Sequence, residues 1–462
     1  MVSAAEAGVR PTFTLGYRRW MLGLLVAIYA CSFIDRIIIN TVGPQIIKEL
    51  RLSDLQFGLL GGLSFAVFYA ALGIPIARVA ERRSRVNIIS ACIALWSVAT
   101  ALCGISTNYW QLLLFRMGVG VGEGGCGPAA QSLISDHYPP RQRASALAIY
   151  TAGVPLGSML GAVAGGWIAQ TFSWRTAFIV VGLPGLLLAL LARFTLREPV
   201  RGHSEAAEVA AQAPPFSAVL KRLLASPTFR HVCAGFVLTN FAANGVNVFM
   251  PSYLVRSFHL GLAEVGLLYG LVVGSSGMVG ALAGGFGADF AARRDVRWYA
   301  WTPALAAAFA FPVYLIAFTR GSAVETAAFF GLAYVVLSLY FAPTFAVVQN
   351  LVEPRMRASA AALLLLLINV FGQGLGPTLM GFASDTMARR SFTLGDYASL
   401  CPAAKGAAPA LAKACVQASA SGLQVSMLAV SGFFVWGAVH YLLAARTIRR
   451  ELDQRAGAPA PV

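Results

Sequence analysis

Four charged residues lie inside long apolar stretches of the sequence, where charges are rare. These residues are Asp35, Arg36, Arg116 and Glu123. A charged side chain at the centre of a bilayer costs on the order of 3 kcal/mol even on lenient insertion scales. The four charges sum to zero when both acids are ionised, and protonation of either acid makes the group positive. The pattern predicts a proton-sensitive site inside a membrane; the alternative is a neutral network that only holds helices together.

Helical spacing determines what these four residues can reach. Arg116 and Glu123 are seven residues apart, which places them on one helix face about 10.5 Å apart along the axis. They pair directly only if both side chains extend toward each other. Asp35 and Arg36 point ~100° apart, so one of them can face a cavity while the other faces the helix of Arg116.

The composition indicates which elements carry these residues. Of the 462 residues, 58% are hydrophobic and 12% are charged, about half the charged share of soluble proteins. This excludes a disordered chain, a secreted disulfide scaffold and a soluble nucleic-acid-binding protein. A helix needs roughly 20 apolar residues to cross a bilayer. We therefore predict an all-α polytopic membrane protein with twelve transmembrane helices, at about residues 19–43, 55–79, 87–106, 110–134, 144–169, 175–196, 231–255, 263–288, 299–318, 325–350, 359–383 and 423–445.

The net charge of +16 has an explanation in membrane topology. With twelve spans both termini lie on one side, and that side carries 24 of the 35 Lys and Arg residues, against nine on the other side. The positive-inside rule therefore places both termini in the cytoplasm. We expect the protein in the inner membrane of a bacterium, and we expect no nucleic-acid partner because no basic cluster falls on a folded domain.

The two halves of the sequence repeat each other. Residues 139–146 read PPRQRASA and residues 353–360 read EPRMRASA, at an offset of 214. A parallel repeat of this kind predicts two pseudo-symmetric bundles of six helices. The predicted layout is a cytoplasmic tail at 1–17, a first bundle at 18–196, a cytoplasmic linker at 197–229, a second bundle at 230–446 that includes a long outer loop at 384–422, and a cytoplasmic tail at 447–462.

Loop and helix motifs resemble the major facilitator superfamily. An acidic-then-basic loop motif after the eighth span keeps its characteristic residues, Gly285, Ala288, Asp289, Arg293 and Arg294. Three strings resemble the spinster-like branch of that superfamily: SFIDR at 32–36, GVGVGE at 118–123 and WRTAF at 174–178. The resemblance implies a secondary transporter that works by alternating access. It also implies a lipid-like substrate, such as a lysophospholipid or a sphingoid phosphate.

The resemblance further implies a charged cytoplasmic gate between the two halves. It places Glu81 against Arg355 or Arg357, and Asp289 against Arg141 or Arg143. Each acid would also lie at a helix N-terminus, which adds ~0.3–1 kcal/mol. The full set expected at this gate is Glu81, Arg82, Arg85, Asp136, Arg141, Arg143, Asp289, Arg293, Arg355 and Arg357.

The second half carries polar residues where the first carries charges. Asn240, Asn244 and Asn247 form a stripe at helical spacing on the predicted seventh span. Such a stripe lines a cavity or forms hydrogen bonds between helices, and the sequence leaves both open. The residues expected to line a substrate cavity are Tyr29, Asn240, Asn244, Asn247, Tyr269, Tyr340, Asn369 and Gln373. A wall of amides and phenols among many Phe, Leu and Met suits an amphipathic ligand better than a sugar.

These observations predict a proton-coupled secondary transporter of an amphipathic anion, with Asp35 and Glu123 carrying protons and Arg36 and Arg116 pairing with them. The alternative is a proton-coupled carrier of a small organic anion or drug. A passive channel and an intramembrane enzyme are remote alternatives, and we expect no catalytic residues. The chain has no nucleotide-binding motif, and we expect no cofactor and no metal. The expected partners are the lipid bilayer, protons and an amphipathic substrate, and the expected state is a monomer.

Two cysteines stand apart from the rest. Cys401 and Cys415 share the predicted outer loop, where an exterior or periplasmic location permits oxidation. Whether they form a disulfide stays open from the sequence.

Overall fold

The computed structural model describes residues 13–80, 82–199, 216–353, 356–401 and 408–456. Twelve long helices follow one another, numbered α1 to α12 as the predicted spans are. The uninterrupted ones are α1 Leu15–Leu50, α3 Arg85–Cys103, α4 Tyr109–His137, α6 Trp174–Thr195, α7 Pro227–Phe258, α8 Leu262–Ala292, α9 Trp298–Phe318 and α12 Pro409–Ala456. The interrupted ones are α2 Asp54–Gly61 and Leu63–Ala80, α5 Pro140–Thr151 and Gly153–Thr171, α10 Ala323–Ser338 and Phe341–Asn350, and α11 Arg357–Leu367, Ile368–Gly374 and Leu375–Ser391.

Among the described residues, eleven of these helices are both long and apolar enough to cross a membrane. The exception is α4, which has 29 residues and is long enough, but contains Arg116, Glu123 and many glycines. It packs against α2 and α3 inside the first half. Contacts with these helices allow α4 to be less apolar than the other spans.

Local sequence signals explain where several helices begin. The Ser53 side chain accepts from the backbone N–H of Gln56, whose side chain accepts from Ser53 in return, so α2 begins with a complete capping box. The Ser173 and Ser226 hydroxyls cap α6 and α7 by accepting from the backbone N–H groups of Thr176 and Phe229. A π-helical segment at Ile368–Gly374 interrupts α11, a feature that often occurs at functional sites.

Helix boundaries differ from the predicted layout at four places. The predicted outer loop 384–422 is largely helical, because α11 continues to Ser391 and α12 begins at Pro409. α12 also runs past 446 into the predicted tail, and α1 begins inside the predicted tail 1–17. A short helix, Phe216–Ala225, lies in the predicted linker. Hydropathy detects only the apolar part of a helix, while alanine-rich and charged flanks continue it outside the bilayer.

The helices pack as two six-helix halves, α1–α6 and α7–α12. Between the halves, α5 packs against α8, α2 against α11, and α1 against α7. Because the number of spans is even, α1 begins and α12 ends on the same face, here called the terminal face. The opposite face, where the odd-numbered helices end, is called the distal face.

Candidate functional site

A cavity of about 850 Å³ lies between the two halves. Residues of both halves line it, and seven of the eight residues predicted to do so are among them: Tyr29, Asn240, Asn244, Asn247, Tyr340, Asn369 and Gln373. Tyr269 is not. It is buried behind the wall, where its hydroxyl donates to Asn247 Oδ1 at 2.9 Å and accepts from Asn40 at 3.4 Å. Tyr269 therefore supports the lining instead of forming it.

On the wall of the C-terminal half, the asparagine side chains both line the cavity and form hydrogen bonds with other side chains. Asn240 donates to the hydroxyl of Tyr340 at 2.9 Å, and Asn244 donates to Asn240 Oδ1 at 2.8 Å. Both alternatives left open by the sequence thus apply to the same residues. Apolar side chains complete the lining, including Phe33, Met278, Leu282, Phe341 and Leu365.

The cationic side chains reach the cavity, whereas the carboxylates lie behind them. Arg36 and Arg116 line the cavity, while Asp35 and Glu123 do not. Asp35 is 0% exposed and Glu123 is 3% exposed. The wall of the N-terminal half therefore presents the Arg36 guanidinium to a ligand and also contains Arg116, which is only 2% exposed. The two positive charges favour an anion.

Glu123 pairs with Arg36 and not with its own helix neighbour Arg116. Arg36 Nε lies 2.5 Å from Glu123 Oε2, and the Ser32 hydroxyl donates to the same oxygen at 2.9 Å. The pair joins α1 to α4. The other carboxylate oxygen, Oε1, is buried and has no hydrogen-bond partner among the described residues. Protonation at Oε1 would therefore break no existing hydrogen bond.

Three aromatic rings surround the guanidinium of Arg36. Its Cζ lies 4.9 Å from the ring centre of Phe33, 4.8 Å from that of Phe65 and 4.9 Å from that of Tyr69. Phe65 also lies 5.6 Å from Arg116. Cation–π attraction holds the group in place even when no anion pairs with it. The role of these rings was not predicted from the sequence, although all three lie on helices that carry or face Arg36.

Asp35 lies in the interior of the first half. The Thr100 hydroxyl donates to its Oδ2 at 3.1 Å, and its Oδ1 is buried without a partner among the described residues. Arg116 donates to the backbone carbonyl of Asp35 at 3.3 Å and not to its carboxylate. A buried carboxylate with one neutral hydrogen bond is poorly compensated, and a proton removes that cost. The role of Thr100 could not be predicted from the sequence, where it is one polar residue inside an apolar span.

A charged cluster on the distal face joins the halves. Arg256 of α7 binds both carboxylate oxygens of Asp54 at the start of α2, at 2.5 and 2.7 Å. The Ser384 hydroxyl of α11 donates to the same carboxylate at 2.6 Å. Asp385 accepts from the backbone N–H groups of Asp54 and Leu55 at 3.0 and 2.9 Å. This cluster could not be predicted from the sequence, because its members fall at the ends of three separate spans.

The residues predicted for a cytoplasmic gate meet only in part. Arg85 is buried and pairs with Asp136 at 2.5 Å and with Glu198 at 2.7 Å, all within the first half. Arg143 donates to the carbonyl of Ser135 and Arg357 to that of Gln349, each within its own half. Arg82, Arg141 and Arg293 are exposed. Glu81, Arg355 and the side chain of Asp289 lie outside the described residues, so the predicted pairs across the halves stay predictions.

The cavity extends from the middle of the molecule toward the terminal face. Its lining includes Leu282 and Leu365, which lie on the parts of α8 and α11 nearer that face. On the distal side the helices are in contact: a Cβ atom at Gly58 would lie 2.3 Å from the Pro377 carbonyl. At Gly381 it would lie 2.1 Å from the Asp54 carbonyl. The distal face is therefore closed in this conformation.

Cys401 and Cys415 form a disulfide on the distal face, with Cα atoms 5.5 Å apart. The bond joins the short helix Tyr397–Leu400 to the first turns of α12. Among the described residues, no group of three or more His, Cys, Asp and Glu is placed to hold a metal ion.

The chain is similar in sequence to several known proteins. A family model described as Major Facilitator Superfamily matches residues 25–377. An MFS-type efflux pump of Mycolicibacterium smegmatis is 32% identical over 440 residues, which cover 95% of both proteins. The human protein spinster homolog 1 is 28% identical over 396 residues, 80% of this chain and 74% of that protein.

A solved structure is similar over almost the whole chain. It is the crystal structure of a bacterial homolog to the human lysosomal transporter Spinster, in an inward-facing and unoccupied conformation. The two share 32% sequence identity and a TM-score of 0.88, over 97% of this chain and 100% of that one.

Proposed function

Because the chain belongs to the major facilitator superfamily and is spinster-like, we propose that it is a proton-coupled secondary transporter of an amphipathic anion. Membership makes the chain a membrane transporter and not an enzyme. The single observation that carries the proposal of coupling is the position of Arg36, which contacts Glu123 on one side and the cavity on the other.

An anion in the cavity and the Glu123 carboxylate compete for the same guanidinium. When Glu123 is ionised, its ion pair occupies Arg36 and opposes anion binding. When Glu123 is protonated, the three rings still hold Arg36, which is then free to bind an anionic headgroup. Anion binding therefore promotes proton uptake, and proton uptake promotes anion binding, by the same factor. This positive coupling between anion binding and proton uptake favours symport of a proton with the anion.

The cavity supports an amphipathic substrate. The guanidinium groups lie on the wall of the N-terminal half, amides and phenols of both halves line the cavity, and Phe, Leu and Met side chains contribute apolar surface. A volume of about 850 Å³ is at the upper end of ligand pockets. Together with the spinster likeness, this favours a lysophospholipid or a sphingoid phosphate. The second candidate is a small organic anion or drug, which the similarity to a mycobacterial efflux pump supports.

Alternating access requires the distal face to open and the terminal face to close. Opening would separate Asp54 on α2 from Arg256 and Ser384 in the second half. We propose that the pairs expected of Glu81 and Asp289 close the terminal face in that second conformation, with the terminal face cytoplasmic. A monomer contains every element that this cycle needs.

Transport in proteoliposomes with an imposed pH gradient tests the coupling. We expect Asp35→Asn and Glu123→Gln each to abolish proton-driven accumulation of a lysophospholipid or other amphipathic anion, while the protein stays folded. Glu123→Gln should keep substrate binding and lose its pH dependence, because Arg36 is then permanently free. Arg116→Ala should lose binding as well.

Glu325→Gln is the matched control, because Glu325 is exposed at the start of α10 away from the cavity. It should accumulate substrate as the wild type does. Accumulation under a proton gradient by the Asp35→Asn, Glu123→Gln double variant would show that the two acids are only structural. Flux that neither saturates nor responds to the pH gradient would favour a channel instead.

A further inference from the structure

Two of the five histidines of the chain meet at the seam between α7 and α12. The Nδ1 atoms of His231 and His440 are 3.0 Å apart, although the residues are 209 positions apart in sequence. Their ring centres are 5.3 Å apart and the ring planes are tilted by 38°. Neither residue lines the transport cavity, so the pair is separate from the site described above.

The pair lies close to the terminal face. His231 is the fifth residue of α7, which places it about 6 Å along the axis from the helix start at the terminal face. Both side chains are only half-buried. The Glu451 carboxylate of α12 accepts from the Thr228 backbone N–H at 2.9 Å, which fixes the two helices against each other beside the pair. The two imidazoles are thus held together by the packing of their helices.

The chemistry of two facing Nδ1 atoms restricts what can lie between them. Two imidazolium ions at this distance would repel each other, so at most one proton is shared between the nitrogens. Neutral imidazole is the commonest protein ligand of transition metals. At metal–nitrogen distances of about 2.0–2.1 Å, nitrogens 3.0 Å apart subtend an angle of about 94° at the metal. That angle matches neighbouring positions in octahedral and square-planar complexes, the geometries of Ni²⁺ and Cu²⁺.

We propose that His231 and His440 form a two-histidine binding site for a divalent transition-metal ion such as Ni²⁺ or Cu²⁺. The ion replaces the proton between the two Nδ1 atoms and takes water at its other positions. The imidazole rings need only tilt away from the line that joins the nitrogens, and χ2 of histidine has a broad distribution. The bound ion links α7 to α12 within the second half.

The site has a predictable strength and a predictable effect. No third His, Cys, Asp or Glu side chain joins the pair among the described residues, so water holds most of the coordination positions and the ion exchanges readily. An ion that binds only the folded protein raises its unfolding temperature with concentration until the site is full. The Arg230 side chain is exposed next to His231, and its positive charge weakens binding without occupying the site.

The test uses full-length protein in detergent, purified through a tag that contains no histidine. Unfolding temperature is measured during titration with NiCl₂ and after addition of EDTA. We expect a saturable, EDTA-reversible rise in the wild type and no rise in His231→Asn or His440→Asn. The control is His259→Asn, which removes an exposed histidine at the end of α7. His259 has φ 55°, a conformation that asparagine accepts.

Electron paramagnetic resonance of the protein with one equivalent of CuCl₂ supplies a readout that does not depend on stability. The wild type and His259→Asn should show nitrogen superhyperfine structure from two imidazoles, and each single variant of the pair should lose it. The proposal is overturned if His231→Asn keeps the two-nitrogen spectrum or the NiCl₂-dependent rise. It is also overturned if the wild type shows neither.

Discussion

At the scale of single residues, the aromatic rings around Arg36 decide how the proposed anion receptor is oriented. Phe65 is the most informative of them because it contacts both cavity arginines. A guanidinium that loses one ring face samples more orientations when Glu123 is protonated. The rings should therefore contribute to substrate affinity without changing its dependence on pH, which we attribute to Glu123.

We predict that Phe65→Leu weakens substrate binding by about 2- to 30-fold, the equivalent of ~0.5–2 kcal/mol for a cation–π contact. Dissociation constants measured at several pH values check this, and the slope with pH should match the wild type. Phe309→Leu, at an exposed apolar position of α9, is the control and should bind normally. Unchanged affinity in Phe65→Leu would mean that the rings only pack.

The Glu198 carboxylate links the end of α6 to the start of α3 at the terminal face. It follows α6, outside the membrane-spanning helices. Burial raises the pKa of Glu198, but hydrogen bonds from the Val86 backbone N–H and from the Arg85 and Ser84 side chains outweigh burial. The net pKa is lower than the ordinary value. An acid of this kind stabilises the folded state above its unfolded pKa, and the contribution is lost as pH falls through the folded pKa.

Glu198→Gln should therefore lower the free energy of unfolding at neutral pH by on the order of 1 kcal/mol, a typical value for a hydrogen-bonded charge. The difference from the wild type should shrink as pH falls below about 4.3, where the carboxyl of the unfolded chain is protonated. Thermal unfolding from neutral to acid pH measures this, with Glu325→Gln as the control. A difference that is constant with pH would show that the ionised form contributes nothing.

At the scale of helices, α2 and α11 cross so closely on the distal face that glycine is needed. A methyl group at Gly381 would lie 2.1 Å from the Asp54 carbonyl, well inside van der Waals contact. The clash is with backbone, so the helices themselves must separate. Separation moves Asp54 away from Arg256 and Ser384, which hold the distal face closed.

We predict that Gly381→Ala destabilises the closed distal face by ~1–3 kcal/mol, the usual cost of overpacking. Spin labels on distal loops of the two halves, at Thr107 and Arg320, should report longer distances than in the unsubstituted protein. Gly432→Ala, on α12 with nothing within 4 Å of the added methyl group, should leave those distances unchanged. Unaltered distances in Gly381→Ala would exclude the α2–α11 contact as a determinant of the closed state.

At the scale of the whole molecule, charge and cysteine chemistry agree on an orientation. The terminal face carries most of the Lys and Arg residues. The Cys401–Cys415 disulfide lies on the opposite, distal face, and disulfides persist in oxidising compartments. Both observations favour a cytoplasmic terminal face. In that orientation the cavity of this conformation faces the cytoplasm.

Thiol labelling of cells that express the protein tests the orientation. A cysteine at Arg320 on the distal face should react with a membrane-impermeant maleimide in intact cells. A cysteine at Arg450 on the terminal face should react only after permeabilisation. The wild type is the control, because its free cysteines are buried or half-buried. The reverse labelling pattern would invert the topology and the proposed direction of access.

Apolar length and repetition were enough to predict the twelve-helix, two-bundle fold, since each span must satisfy its backbone within one helix and shows this in the sequence. Intramembrane charges and the Asn240 stripe likewise identified residues that face or adjoin the cavity. Side-chain partners were beyond the sequence: Glu123 pairs with Arg36 of α1, and Asp54 with Arg256 of α7. Spacing along one helix fixes only which residues share a face. The rotation and crossing of helices from different parts of the chain decide which faces meet, and only the tertiary structure contains them.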